Sequence, residues 1–384
     1  MISLTMTPVF PNLLSFMTGL LLMVPKTFWG HDGPSGRLPA SVSFVVYHSF
    51  PGMRRISTNA PESIIVEWMN TRLLGKTGIA LTELGFGCSG LFGSKALGKD
   101  ALTEAQAAEL IKTAAEAGIR FFDTGFSYGK AEERLGAGLS ALLSEGYRRE
   151  DFVIETKCGE TLLQDGSYGP ADFSPDWLKR SVEISLERLR TDHVDLLATH
   201  GGKRAVFTDG FFALMEYLKR QGIIRAYGVS SGVDRETLEW IAKEQNFDYV
   251  MLRYNIFTQK QEEIIEKLHD AGIGVLAGAS MGEGLYANRM KFGNRKDLWY
   301  LARALVHQRA NMKKGKAFRF MSECPDATSN QIALRFVLDN PNVTAALFNT
   351  TNPAHLRENA LASDLTMPEG MTEKIREVYA SVNK

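Results

Sequence analysis

Short apolar runs that alternate with segments of helical periodicity are the feature that most constrains the fold of this chain. Eight such runs follow Met69, each with a loop containing Gly or Ser after it. The runs are ELGFGC (83–88), IRFFDT (119–124), DFVIETK (151–157), VDLLATH (194–200), IRAYGVS (224–230), YVMLRYN (249–255), IGVLAGA (273–279) and VTAALFN (343–349). Alternating strands and helices indicate a parallel sheet of βαβ units, and this number of units predicts an α/β fold, a (β/α)8 TIM barrel.

The stretches between the runs support a barrel over an open sheet. Apolar residues recur at helical spacing in the stretch 105–118. The stretch 175–190 starts with Pro175 after Ser174, which is a favourable N-cap. The phosphate-binding signatures of open doubly wound sheets are missing, since no GxGxxG follows the first run and no GxxxxGK[ST] occurs.

The first 68 residues differ from the rest of the chain. They sustain neither helical nor strand periodicity, so we expect residues 1–68 to be a poorly ordered N-terminal extension or a product of a misassigned start, and residues 69–384 to be the barrel. The apolar part, 9–24, is interrupted by polar residues and is shorter than the roughly 20 residues of a bilayer span. Its first basic residue, Lys26, follows the apolar part, unlike that of a secretory signal.

Charge and cysteine content exclude several classes of partner. Lys plus Arg and Asp plus Glu both number 44, and this balance favours neither nucleic acid nor an anionic membrane as a partner. The cysteines Cys88, Cys158 and Cys324 are far apart and lack the spacing of a metal site. We therefore expect reduced thiols, no metal and a cytoplasmic protein.

Polar residues lie at the ends of three consecutive runs, where a barrel collects its functional side chains. Asp123 and Tyr128 follow the second run. Lys157 ends the third run and His200 ends the fourth. Their joint appearance on one expected rim favours a shared site over four unrelated structural roles.

These side chains suit proton transfer at a carbonyl or alcohol carbon. A lysine beside a tyrosine is expected to lower the phenol pKa from about 10 toward neutrality, which makes Tyr128 a proton donor. A buried Lys157 needs the counter-charge that Asp123 supplies, and His200 can donate a hydrogen bond to the reacting oxygen. Because no side chain supplies a hydride, the redox chemistry requires a cofactor.

The segment from Met69 to about Ala362 resembles the aldo-keto reductase superfamily. The resemblance is carried by FFDTGFSYGKAEERLG, FVIETKCG and DLLATHGG, and by the later segments GVSSG, NQIALRFVL and NPAHLRENA. It implies an NAD(P)-dependent oxidoreductase that interconverts a small-molecule carbonyl and an alcohol. By match to the family motifs, Tyr128 would be the general acid and Lys157 the residue that lowers its pKa. Asp123 would be the partner of Lys157, and His200 would orient the substrate carbonyl.

The nicotinamide end of the resemblance departs from the usual family pattern. Ser230 and Ser231 stand where the family usually places Ser-Asn. Met251 and Gly278 stand where many members carry a glutamine and a stacking tyrosine. Losing a ring stack and an amide contact would weaken binding by roughly 1–3 kcal/mol. The resemblance also implies that Arg289 or Lys291 contacts the cofactor pyrophosphate.

The 2′-phosphate end has few basic residues. Asn349 and Thr350 stand where NADPH-preferring members tend to carry Lys or Arg, and His355 occupies the position of another phosphate-binding residue. Glu358 and Asn359 match the family pair near the adenine. Because basic residues favour the extra phosphate, both NADP and NAD stay open as the cofactor.

Two charged residues share the inward parity of Lys157, counting by twos along their strands. A buried charge is costly unless it is paired, so we expect Glu155 to pair with Lys157 or with Arg253. As an alternative, Arg253 would bind a substrate carboxylate or the cofactor.

The segment 282–323 is long and basic. Its apolar spacing predicts a helix that covers the barrel mouth. Trp299 and Tyr300 are its candidate residues for lining the substrate pocket.

Two other functions are compatible with this barrel. One is a cofactor-binding regulatory subunit without turnover, which the altered nicotinamide positions suggest and the intact four-residue set opposes. The other is a non-redox lyase or dehydratase that uses Tyr128 and His200 as acid and base.

Overall fold

The computed structural model describes residues 53–56, 65–92, 102–161, 163, 169–230, 232–282 and 314–383. The strands are β1 (Met53–Ile56), β2 (Ile65–Trp68), β3 (Thr71–Leu73), β4 (Ala80–Thr82), β5 (Leu84–Gly87), β6 (Phe121–Asp123), β7 (Val153–Cys158), β8 (Val194–His200), β9 (Ile224–Ser230), β10 (Tyr249–Arg253), β11 (Gly274–Gly278) and β12 (Ala345–Phe348). The α-helices are α1 (Glu104–Glu116), α2 (Ala131–Ser144), α3 (Pro175–Leu189), α4 (Asp209–Arg220), α5 (Arg235–Glu244), α6 (Glu262–Asp270), α7 (Ser329–Leu338), α8 (Pro353–Ala360) and α9 (Met371–Val382).

The strands from β5 to β12 close into one parallel barrel. Their order around it is β10-β11-β12-β5-β6-β7-β8-β9, and every neighbouring pair is parallel. Each of these strands falls on one of the apolar runs, since strands buried on both faces read as nearly continuous apolar sequence. The predicted (β/α)8 barrel is confirmed.

The barrel strands separate two apolar layers. Leu196 and Ala198 of β8 belong to a cluster inside the barrel, together with Val153 from β7. Leu197 of the same strand belongs to the larger cluster between the strands and the helices. This alternation along a strand explains why the inward parity of polar residues can be read from the sequence.

A hairpin closes the amino-terminal end of the barrel. β3 and β4 pair antiparallel, and the connecting loop and β4 add Leu74, Ile79 and Leu81 to the interior cluster. The Lys76 amide donates to the Gly272 carbonyl at 3.0 Å, which fixes the hairpin against the start of β11. Polar groups inside the barrel therefore reach solvent at the carboxyl-terminal rim.

The helix starts follow local capping rules. Ser174 precedes α3, and its hydroxyl accepts from the Trp177 amide at 3.4 Å, so the predicted N-cap is confirmed. Thr103 and Gln106 form a reciprocal capping box at the start of α1.

Most of the predicted extension, residues 1–68, lies outside the described residues. Within it, β1 and β2 pair antiparallel with Met53 opposite Trp68. The sequence pattern did not indicate this ribbon. Among the helices described, none combines the length and the apolar character that a membrane span requires.

Candidate active site

The polar residues predicted to act together meet at the carboxyl ends of three neighbouring strands. Asp123 ends β6, Lys157 is the next-to-last residue of β7, and His200 ends β8. Backbone pairing places Asp123 beside Glu155 of β7. The strand order β6-β7-β8 therefore puts all three side chains at one side of the rim.

The loop that carries Tyr128 is held against the end of β7. The Phe126 amide donates to the Lys157 carbonyl at 3.1 Å. The Tyr128 amide then donates to the Gly125 carbonyl at 2.9 Å in a turn that ends at Gly129, whose φ of 55° favours glycine. These contacts place the phenol over the Lys157 side chain.

Lys157 is buried and paired. Its side chain is 1% exposed, and the ammonium donates to the Asp123 carboxylate and, at 2.6 Å, to the Thr124 carbonyl. Burial by itself lowers the pKa of Lys157, but the Asp123 carboxylate, with smaller contributions from Tyr128 and Glu155, outweighs it and raises the pKa. Lys157 is therefore a permanent cation at the base of the site.

Tyr128 lies between this cation and an imidazole. The Lys157 ammonium is 5.0 Å from the centroid of the Tyr128 ring, and the His200 ring lies 5.7 Å away at an angle of 82°. Burial raises the pKa of Tyr128 to about 12, while Lys157 lowers it less and Asp123 and Glu155 raise it. The predicted fall of this pKa toward neutrality is wrong, because the buried phenol loses hydration and the Asp123 charge opposes that of Lys157.

His200 has a carboxylate neighbour that the sequence reasoning missed. Its Nδ1 lies 2.6 Å from the Glu160 carboxylate, which also accepts a hydrogen bond from the Ser127 hydroxyl. The distance is that of a charge-assisted pair, although no described residue makes a well-aligned hydrogen bond to Nδ1. Burial raises the pKa of Glu160, but the close approach of His200 and the hydrogen bond from Ser127 outweigh it and lower the pKa.

Glu160 follows β7 by two residues, so it stands in the loop after a strand end, as Tyr128 does. The search for polar residues at or just after the ends of the apolar runs would therefore have found Glu160.

Glu155 points into the barrel, as its parity predicted, but its partner is different. The carboxylate is fully buried and accepts a hydrogen bond from the Tyr249 hydroxyl at 2.9 Å. Arg253 is exposed at the end of β10, so the predicted ion pair between Glu155 and Arg253 is wrong. Lys157 is bound to Asp123 and affects Glu155 only through its charge.

Three residues predicted to contact nicotinamide form one wall of the barrel mouth. Ser230 pairs in register with Met251, and its hydroxyl lies 3.4 Å from the Met251 sulfur. A Cβ atom added at Gly278 would lie 3.6 Å from Met251 Cγ. The wall is flat at Gly278, so a planar ring has space where a stacking side chain is missing.

The predicted adenine end contains a buried polar atom without a partner. Asn359 on α8 is 1% exposed, its amide nitrogen donates to the Met281 sulfur at 3.5 Å, and its Oδ1 lacks a hydrogen bond among the described residues. Buried acceptors are rarely left unpaired. An adenine amino group would supply the missing donor, so the residues at this end fit a dinucleotide. Glu358 beside it is partly buried.

The 2′-phosphate end offers little free positive charge among its described residues. Asn349 is exposed and donates to the Ser89 hydroxyl at 2.8 Å, while Thr350 and His355 are partly buried. The Arg357 guanidinium lies 3.5 Å from the Glu116 carboxylate and 3.4 Å from the Thr113 hydroxyl of α1. Arg357 is therefore held by the helix beside it.

Five predicted site residues lie outside the described part of the chain. These are Ser231, Arg289, Lys291, Trp299 and Tyr300. The predicted helix over the mouth, in segment 282–323, also lies largely outside it.

Comparison with known proteins agrees with the barrel fold and identifies the family. The model of the Aldo/keto reductase family matches residues 83–380. An uncharacterized oxidoreductase, YqkF, of Bacillus subtilis is 29% identical over 303 residues, covering 77% of this chain and 92% of that protein. The NADH-specific methylglyoxal reductase of Escherichia coli is 25% identical, covering 81% and 98%.

Solved structures give the same result. The holo form of the aldo-keto reductase AKR11C1 from Bacillus halodurans is 26% identical, covers 81% of this chain and 96% of its own, and superposes with a TM-score of 0.64. The family match spans the whole barrel, including the strands that carry the site. The chain belongs to the aldo/keto reductase family and is an NAD(P)-dependent oxidoreductase.

Proposed function

We propose that this protein interconverts a small aldehyde or ketone and its alcohol, with Tyr128 as the group that gives and takes the proton. The observation that carries the proposal is the position of the Tyr128 ring, 5.0 Å from the Lys157 ammonium and 5.7 Å from the His200 ring. A bound nicotinamide supplies or accepts the hydride. The protein has to hold the carbonyl, exclude water and provide the proton.

Each residue has a distinct task in this proposal. With its raised pKa, Tyr128 keeps its proton at neutral pH and is ready to donate it to a carbonyl oxygen that gains negative charge. Lys157 stabilises the phenolate that this transfer leaves, and Asp123 fixes the position of the ammonium. His200, held by Glu160, is placed to donate to the same oxygen and set its direction.

Cofactor binding is assigned to the wall and the adenine end. Ser230, Met251 and Gly278 would lie along the nicotinamide, and Asn359 would accept from the adenine. Arg253 is exposed at the end of a barrel strand, where it can contact an anionic group of the substrate. Asn349, Thr350 and His355 make the 2′-phosphate end weakly basic, which supports use of NADH as well as NADPH.

The first test replaces the phenol. Tyr128→Phe should lower kcat for methylglyoxal and for a panel of aldehydes and ketones by about 10²–10⁴-fold, while NADH affinity, measured by nicotinamide fluorescence, stays unchanged. Tyr217→Phe is the matched control, because Tyr217 is 40% exposed on α4. It should leave both quantities at wild-type values.

The alternatives give different results in the same assay. Saturable NADH binding without turnover of any panel member would support a regulatory subunit. Absence of saturable binding of either NADH or NADPH would support a non-redox enzyme. A parallel loss of turnover and NADH affinity in Tyr128→Phe would contradict the role proposed for the phenol.

A further inference from the structure

A carboxyl group in the barrel interior lies next to the ion pair of the site. Glu155 is fully buried two residues before Lys157 on β7, and its Cα pairs in register with that of Asp123. Its Oε1 accepts from the Tyr249 hydroxyl at 2.9 Å. Tyr249 is also fully buried and reaches Glu155 from β10, on the far side of β8 and β9.

The barrel is shaped to let the Tyr249 ring cross. A Cβ atom added at Gly228 of β9 would lie 2.6 Å from the Tyr249 carbonyl oxygen and 2.7 Å from its ring. The interior residues Ala198 of β8 and Ala226 of β9 are also small. Contacts this close make the path of the ring specific to glycine at 228.

The second oxygen of Glu155 decides its protonation state. Oε2 is buried and no described residue donates to it, while Asp123 is the in-register neighbour of Glu155 on β6. Two carboxylates in contact repel each other, whereas a proton on Glu155 turns Oε2 into a donor to Asp123. Burial raises the pKa of Glu155 to about 8, with Lys157 lowering it and Asp123 raising it.

We propose that Glu155 is a positioning residue that works as a neutral acid, accepting from Tyr249, donating to Asp123 and setting the alkaline limit of the reaction. The inference rests on the function proposed above. While Glu155 is neutral, the charges of Asp123 and Lys157 balance, and a phenolate on Tyr128 meets no excess negative charge. Once Glu155 ionises, the group carries a net negative charge, which disfavours that phenolate.

The groups around Glu155 leave few other sources for such an effect. The titratable residues that face it are Asp123 from β6, Lys157 from its own strand and Tyr249 from β10, with Tyr128 above. Below Ser230 and His200, which end their strands at the rim, the described interior residues of the other barrel strands are apolar or glycine: Gly85, Leu196, Ala198, Ala226, Gly228, Leu276 and Leu347.

The test uses Glu155→Gln, whose amide can still accept from Tyr249 and donate to Asp123 but cannot ionise. In the wild type, kcat/KM for methylglyoxal, or for the carbonyl reduced fastest in the panel, should fall above about pH 8. In Glu155→Gln the decrease of kcat/KM should begin about one pH unit higher. At pH values well above this limit, the variant should therefore keep a fraction of its maximal kcat/KM about tenfold larger than the wild type does.

A second readout needs neither cofactor nor turnover. Infrared spectra of the protein alone should show a protonated carboxyl band at neutral pH that disappears on titration past about pH 9 and is missing from Glu155→Gln. Tyr249→Phe keeps the carboxyl and removes a donor that favours its ionised form, so the band should persist to higher pH. This variant also serves if Glu155→Gln does not fold.

The outcomes separate this inference from the proposed function. Glu132→Gln is the control, since Glu132 is a fully buried acid at the outer face of β7, bound to Thr156 and paired with Arg188 at 3.0 Å, and the variant should keep both the band and the wild-type pH profile. Absence of the band from the wild type would overturn the proposal that Glu155 is protonated. A band with coincident pH profiles overturns the positioning role. Full activity of Tyr128→Phe would contradict the proposed function and leave the infrared result intact.

Discussion

Replacing Glu155 by glutamine should change how the stability of the protein depends on pH. The folded protein holds a proton on Glu155 up to about pH 8, whereas the unfolded chain releases it near its usual pKa of 4.5. Unfolding in this window therefore releases a proton, and the free energy of unfolding falls as the pH rises. The contribution is fully present below pH 4.5 and is lost as the pH passes about 8.

The size of the effect follows from the shift. At 1.36 kcal/mol per pKa unit, a rise from 4.5 to about 8 corresponds to about 4–5 kcal/mol over the whole window. Between about pH 6 and about pH 8 the share is roughly 2–3 kcal/mol. Glu155→Gln cannot titrate, so the difference in stability between wild type and variant should change by that amount.

Urea unfolding at a series of pH values, followed by circular dichroism, measures the difference. The variant is compared with the wild type at each pH, which cancels the contributions of the groups they share. Glu132→Gln controls for the general cost of burying an amide, and its difference from the wild type should stay constant. If the free energies of unfolding of wild type and Glu155→Gln differ by a constant amount from about pH 6 to about pH 8, the proposal that Glu155 is protonated is refuted.

Two further substitutions test the surroundings of the site. Gly228→Ala places a methyl group 2.6 Å from the Tyr249 carbonyl oxygen, so it should cost about 1–3 kcal/mol of unfolding free energy in urea, and an unchanged midpoint would contradict the close packing of the ring. Glu160→Gln removes the charge that holds His200, so kcat/KM for the carbonyl should fall about tenfold while NADH affinity stays the same. An equal loss of NADH affinity would instead indicate a collapsed loop after β7.

The sequence was sufficient for the barrel because each strand is buried on both faces and each helix on one. Parity along β7 also predicted that Glu155 points inward, since side chains alternate regardless of which strands lie opposite. Its partner could not be found this way. Tyr249 reaches Glu155 across β8 and β9, and that contact depends on the missing side chain at Gly228.

The prediction for the pKa of Tyr128 was wrong for a different physical reason. Sequence spacing identified a lysine and a carboxylate near the phenol, but it carries no measure of how much water the fold removes. In the structure, desolvation is the largest influence on Tyr128, and it exceeds the effect of Lys157. Arg253 shows the same limit, because its parity is inward while its position at the end of β10 leaves it exposed.

The hairpin of β3 and β4 limits the routes by which protons leave the barrel interior. Leu74, Ile79 and Leu81 fill the lower end, so within the described structure a proton leaving Glu155 has its way out upward, past Asp123 and Lys157. A dinucleotide bound over the rim would cover that exit. Exchange of the buried proton with bulk water should then be slower in the loaded enzyme than in the empty one. After a change of pH, the protonation state of Glu155 would therefore adjust more slowly while the cofactor is bound.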